Sequence, residues 1–201
     1  MFLYNNMLVF SRPEIMADEK NIPEIIVGGE IRLERLRPEM ADEIYAIVDG
    51  MRHEVSRFMN FMTPEYCLDD CSSFAEESMG NWDRGLSYPF VIKEEIGKIV
   101  GVCDINRIDR INSFANLGYW VAKEHWGKGI ATGSASLAAR FGFEHLGLAR
   151  IEIFMSVENP ASRRVAEKLG AKQEGTLRSR LLLQGRRHDA WLFSLLPEDI
   201  S

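Results

Sequence analysis

A chain of 201 residues that is 46% hydrophobic and 27% charged buries one core and leaves little room for a second domain. Its net charge of −6 speaks against a broad nucleic-acid-binding surface and suits a partner carrying an amine or a basic peptide. No apolar run reaches the roughly 18 residues that cross a membrane, and MFLYNNMLVF lacks the basic start and cleavage site of a signal peptide, so a cytoplasmic protein with no membrane partner is expected.

Residues 1–29 have no sustained period and read as a poorly ordered N-terminal extension, within which Met16 is an alternative start of translation. Residues 30–201 read as one domain. Ile31, Leu33 and Arg35 share a strand face, Pro38 offers a helix start, and Ile44, Ile47, Val48 and Met51 follow at helical spacing. Residues 53–84 predict further helices, separated at Pro64 and closed by Gly85, with Cys67 and Cys71 on one helical face. YPFVIKEEIGKIVGVCDINRI predicts an antiparallel hairpin turning at Glu95 to Lys98. Ala115, Leu117, Tyr119 and Val121 then alternate along a strand that runs into HWGKGIATGS.

Beyond that loop, Ile130, Leu137, Ala138 and Phe141 recur at helical intervals, and Gly147 is placed to end the helix in the left-handed conformation. RIEIFMSV gives a strand, and NPASRRVAEKLG gives a short helix with Asn159 as N-cap, Pro160 at its first position and Gly170 beyond its end. TLRSRLLL and DAWLFSLL, joined by QGRRH, predict a closing hairpin. The three cysteines, Cys67, Cys71 and Cys103, make no disulfide framework and are expected as small buried hydrophobes. His53, His125, His145 and His188 show no ligand spacing with them, so no metal is expected.

The glycine loop is not a nucleoside-triphosphate loop, because no G-x-x-x-x-G-K followed by Ser or Thr exists. Nor is it a dinucleotide fingerprint, since Thr132 stands at the third glycine. What remains is a strand, Gly127-Lys128-Gly129, and a helix whose unpaired N–H groups and positive dipole end point into the loop. That arrangement suits a diphosphate, although a plain structural turn meets the same residues.

LGYWVAKEHWGKGIATGS at 117–134, VENPASRRVAEKLGAKQEGTLR at 157–178 and the ending GRRHDAWLFSLL together resemble the GNAT acetyltransferase superfamily, in its RimJ/RimL-type ribosomal-protein N-terminal acetyltransferase branch. The resemblance covers residues 30–197. It implies an α/β (α+β) GNAT fold, whose mixed, mostly antiparallel sheet splays at the cofactor strand. It also implies acetyl-CoA as co-substrate and direct attack by an acceptor amine in a ternary complex, with no covalent enzyme intermediate.

By that resemblance, backbone groups at Trp120 and Val121 meet the pantetheine arm and thioester carbonyl. Backbone N–H groups from Trp126, Gly127, Lys128, Gly129, Ile130 and Ala131 receive the diphosphate, with Thr132 in the same turn and Lys128 adding charge. Asn159, an N-cap on any reading, adds a contact to cofactor or acceptor, and Ser162 corresponds to the serine this branch places near the coenzyme sulfur, where it stabilises the thiolate.

The general base departs from the pattern. Positions at which relatives carry glutamates are Asn116, Gly133 and Leu181 here, leaving Glu54, Asp104, His53 or a held water as candidates. An α-amine with a pKa of about 8 needs less help than a lysine near 10.4, which favours N-terminal amines of a ribosomal protein, peptide or aminoacyl compound. Specificity is expected from residues 53–63 and 178–188, with Phe58, Phe61, Arg178, Arg180 and Arg187 as candidates to line the cleft, although Arg186 and Arg187 read first as a solvated turn. The alternatives are a non-catalytic acyl-CoA sensor and an acetyltransferase for polyamines, amino sugars or antibiotics. Edge strands and the final hairpin are where two copies would pair into a homodimer.

Overall fold

The computed structural model describes residues 22–94 and 97–200. The expected start at Met16 and the expected poor order of residues 1–21 lie outside these. The domain begins earlier than residue 30, because Ile25–Gly28 forms strand β1 and pairs antiparallel with β2 (Ile31–Arg35). The two-residue connection needs Gly29 at φ +58°, which a side chain disfavours.

Six further strands complete one sheet: β3 (Tyr88–Lys93), β4 (Ile99–Asp109), β5 (Phe114–Val121), β6 (Arg150–Ser156), β7 (Lys172–Leu183) and β8 (Arg186–Leu195). Their order is β1-β2-β3-β4-β5-β6-β8-β7. Every neighbouring pair is antiparallel except β5 and β6. The helices are α1 (Ala41–Gly50), α2 (Arg52–Ser56), α3 (Leu68–Asp83), α4 (Ile130–Leu146) and α5 (Pro160–Lys168).

Period-two burial divides the core between the two sheet faces. On one face, Phe90, Ile92, Cys103, Ile105, Leu117, Ile151 and Ile153 pack with Ala135, Ala138 and Phe141 of α4 and Ala166 of α5. Trp82, Tyr88, Phe90 and Phe141 meet there edge to face or tilted, with Trp82 and Tyr88 centroids 4.9 Å apart. On the other face, Val91, Ile99 and Val102 pack with Ile44 and Val48 of α1, Val55 of α2 and Cys71 and Ala75 of α3.

The small residues of α4 follow from its close seat on the sheet. A Cβ on Gly133 would stand 2.5 Å from Ile31 Cδ1, and one on Gly142 would stand 2.9 Å from Ile151 Cδ1. Cys71 and Cys103 are buried as expected, but Cys67 is not. It is the exposed N-cap of α3, where Asp70 Oδ2 accepts from its N–H at 2.9 Å.

Candidate active site

Strands β5 and β6 touch for only three residue pairs, from Phe114 with Arg150 to Asn116 with Glu152. Beyond them β5 stays registered on β4 as far as Val121, while β6 stays registered on β8 as far as Ser156. Each strand thus follows its outer neighbour and a gap opens between them. The Ala122 N–H donates to the Val100 carbonyl at 2.8 Å, which fixes the alternation along β5. Gly118 and Trp120 turn their backbone groups to β4, and Tyr119 and Val121 turn theirs to the gap. The pair expected at this edge, Trp120 and Val121, is therefore corrected to Tyr119 and Val121; Trp120 instead packs its ring against the α1 side of the sheet.

The loop after β5 is held shut by an indole. Trp126 Nε1 donates to the Val121 carbonyl at 2.8 Å, and the Trp126 backbone N–H donates to the Lys123 carbonyl at 3.1 Å. The Trp126 amide is spent on that turn, so the row of amides offered to an anion begins at Gly127 rather than at Trp126. Gly127 and Gly129 have φ of +77° and +84°, and a Cβ on either would meet no atom within 4 Å. Conformation rather than crowding demands glycine at both positions. Gly129 caps α4, and the first helix-paired amide is that of Gly133, leaving the N–H groups of Ile130, Ala131 and Thr132 at the positive end of a 17-residue helix. Lys128 is exposed beside them and holds no ion pair among the described residues.

Asn159 caps α5, its Oδ1 accepting the Ser162 N–H at 3.1 Å, which leaves the Asn159 amide NH₂ free for a further partner. Ser162 Oγ lies 3.1 Å from the Tyr119 hydroxyl, and that hydroxyl donates to the Ser162 carbonyl at 3.2 Å. Tyr119 therefore links the gap edge of β5 to the first turn of α5. Burial pushes its phenol up to about 12, partly offset by Ser162, so it stays protonated near neutral pH. The sequence showed Tyr119 only as one residue of an alternating strand; its place between Leu117 and Val121, facing the helix that Asn159 starts, is the signal that identifies it.

On the opposite face, Asp104 stands directly across from Gly118. Asp104 Oδ2 accepts from Asn106 Nδ2 at 2.9 Å, Asn106 Oδ1 accepts from Asn116 Nδ2 at 3.0 Å, and Asp104 Oδ1 is buried with no partner among the described residues. Burial raises the Asp104 carboxyl to about 6, against hydrogen bonds from Asn106 and the Tyr88 backbone that lower it. Of the other base candidates, Glu54 is lowered by its ion pair with Lys123, and His53 is exposed. The glutamate missing at Gly133 has no space, since Ile31 occupies it. Among the described residues, no group of three His, Cys, Asp or Glu side chains is placed to hold a metal.

Residues 30–172 match the family model described as an acetyltransferase (GNAT) domain. The chain belongs to that family. The *Escherichia coli* K12 ribosomal-protein-serine acetyltransferase is 32% identical over 170 residues, 85% of this chain and 94% of the relative. Microcin C7 self-immunity acetyltransferase MccE, solved with acetyl-CoA and AMP, superposes with a TM-score of 0.80 at 28% identity, covering 87% of this chain and 97% of its own. *Mycobacterium smegmatis* RimJ, solved with CoA-disulfide, gives 0.76 at 26% identity, covering 84% and 83%. The GNAT fold, with its mostly antiparallel sheet and single parallel junction, is the one expected from the sequence.

The two segments expected to set GNAT acceptor specificity meet. Gln184 Nε2, at the tip of the β7–β8 hairpin, donates to the Ser56 carbonyl at 3.3 Å at the end of α2, while Glu54 of α2 pairs with Lys123 just after β5. Both the hairpin and the residues after β5 are thereby tied to α2. Of the residues named for this cleft, Phe61 stacks on Tyr66 with centroids 5.4 Å apart, Phe58 lies under the Arg57 guanidinium, and Arg178 and Arg187 are exposed. Arg180 alone among them reaches the sheet face, 4.5 Å from the Phe154 ring centroid.

Proposed function

We propose that this GNAT N-acetyltransferase transfers the acetyl group of acetyl-CoA to the α-amine of a protein or peptide. The observation that carries the reading is the β5 edge left open by β6, with the Gly127–Thr132 amide row at one end and Ser162 and Tyr119 along it. The amide row and Lys128 bind the diphosphate, and the Tyr119 and Val121 backbone groups align the pantetheine arm and polarise the thioester carbonyl. The acceptor nitrogen forms a bond to the carbonyl carbon as the C–S bond breaks. The nitrogen's proton passes through one water to Asp104, whose raised carboxyl is ionised at pH 7 yet basic enough to take it. Ser162 Oγ turns from Tyr119 to donate a hydrogen bond to the departing sulfur, whose ordinary thiol pKa of about 8.5 makes that bond sufficient stabilisation.

An α-amine fits a single carboxylate of this strength, since about a tenth of it is neutral at pH 7, against under a thousandth of a lysine amine. Relatives named as ribosomal-protein acetyltransferases support a protein N-terminus as the acceptor class. The test is release of free coenzyme A with mass confirmation of product, using Ser- and Ala-initiated peptides, α-blocked lysine peptides, polyamines and aminoglycosides. Turnover on the free α-amines is expected. Turnover confined to polyamines or aminoglycosides would overturn the acceptor assignment, and tight acetyl-CoA binding without turnover on any amine would favour a sensor.

A further inference from the structure

Two arginines converge on one aromatic ring beside the gap. Phe154 lies on β6 two residues past Glu152, the last residue paired to β5, and on the face opposite the buried Ile153 and Met155. Arg107 reaches this ring from β4, crossing β5, with its guanidinium 4.9 Å from the centroid. Arg180 reaches it from β7, crossing β8, at 4.5 Å. Each spans two strand spacings, about 10 Å, to arrive there.

Neither guanidinium holds a hydrogen bond or ion pair among the described residues. Glu152, the carboxylate nearest along β6, is taken by Arg150, which also holds Glu174. Both arginines stand at irregularities of their strands: Arg107 has φ +52° where β4 shifts register against β5, and Ser179 beside Arg180 has φ +55° where β7 bulges against β8, its N–H donating to Asp189 at 2.7 Å. Positive φ at non-glycine residues costs on the order of a kilocalorie and persists where the surrounding structure requires it. In a protein of net charge −6, two exposed guanidiniums over one ring, neither spent on an ion pair among the described residues, offer an anion two sets of free donors.

We infer that Arg107 and Arg180, braced by Phe154, recognise an acidic side chain at the second or third position of the acceptor peptide. The inference rests on the α-amine reading above and deepens it. Counted on from the Asn116–Glu152 rung, Phe154 is level with Gly118, which faces Asp104, and lies about 3–10 Å along the strand from the Tyr119 and Val121 groups that align the thioester, a span of one to three residues of an extended chain. An amine at the thioester therefore delivers its following residues to the clamp, where the guanidiniums supply charge-assisted hydrogen bonds and the ring restricts their motion.

The test compares Ser-initiated peptides carrying Asp or Glu at positions two and three with their Asn and Gln counterparts, on wild type, Arg107→Gln, Arg180→Gln and the double variant. Wild type is expected to favour the acidic peptides by roughly five- to tenfold in kcat/KM, mainly through KM, with the preference shrinking as salt rises. In the double variant the preference falls to about one, while kcat on the neutral peptides and the affinity for acetyl-CoA are retained, which also reports that the variant is folded. Equal rates for acidic and neutral peptides in wild type, or a preference surviving in the double variant, would overturn this inference and leave the α-amine reading standing. Failure of every α-amine peptide would overturn both. Preference for an aminoacyl phosphate ester over all peptides would overturn the peptide assignment and leave the anion clamp with a different occupant.

Discussion

The two sides of the proposed site are built by different means. The proposed cofactor side is backbone: two glycines at positive φ, a helix N-terminus and the edge of β5 that β6 leaves, all between residues 119 and 132. The proposed acceptor side is side chains brought from far apart: Asp104 and Arg107 from β4, Asn116 from β5, Phe154 from β6 and Arg180 from β7. A backbone site tolerates sequence drift wherever the dihedral angles survive, so it fixes what is shared among relatives. A side-chain site changes with single substitutions, so it fixes what distinguishes them.

That division predicts which kinetic constant each substitution moves. The largest effect is expected at Asp104→Asn, with kcat/KM lowered by about 10²–10³ and acetyl-CoA affinity unchanged. The wild-type pH profile of kcat/KM should carry a limb near pH 6 that this variant lacks. Stability moves the other way. Because burial raises the carboxyl above its unfolded value, the folded protein loses stability as pH rises from about 4 to about 6, and the variant escapes that loss. Thermal melts at pH 7.5 should show Asp104→Asn more stable, by up to about 3 kcal/mol, with the gain vanishing below pH 4.

Next comes Gly129→Val, which forces a β-branched residue to φ +84° and should weaken acetyl-CoA binding by about 10–100-fold, with a smaller effect on acceptor KM, as read by calorimetric titration. Ser162→Ala should lower kcat by about tenfold with acetyl-CoA affinity nearly constant. A pre-steady-state trace showing an unchanged chemical step would remove Ser162 from the reaction. Trp126→Phe, which deletes the indole donor to Val121, should raise KM for acetyl-CoA by about threefold, because the loop loses one neutral hydrogen bond. A shift in acceptor KM larger than that in cofactor KM for either Gly129→Val or Trp126→Phe would break the division.

Local signals made most of the fold and the strand–glycine–helix geometry at residues 117–134 legible. Gly147 and Gly170 end their helices, Asn159 caps α5, and period-two alternation marks Leu117 and Val121, all of which act within a few residues. Strand β1 was hidden because Ile25–Gly28 is short and lies at an edge, where its burial alternates only between exposed and half-buried. Trp120 was expected at the open edge because sequence alternation shows which side chains share a face but not which edge of the strand stays unpaired; that depends on β4 and β6. Phe154 and Arg107 carried no local mark, since their partnership crosses an intervening strand and appears only when the sheet is assembled. Asp104 was one carboxylate among many until burial and Gly118 opposite set it apart.

The bridge from Gln184 to Ser56, with the pair of Lys123 and Glu54, ties both the β7–β8 hairpin and the residues after β5 to α2. On the α-amine reading proposed above, such a tie across the acceptor side would favour the end of a loose chain over a lysine in the middle of a folded surface, a selection by size that precedes any choice the reactive groups make.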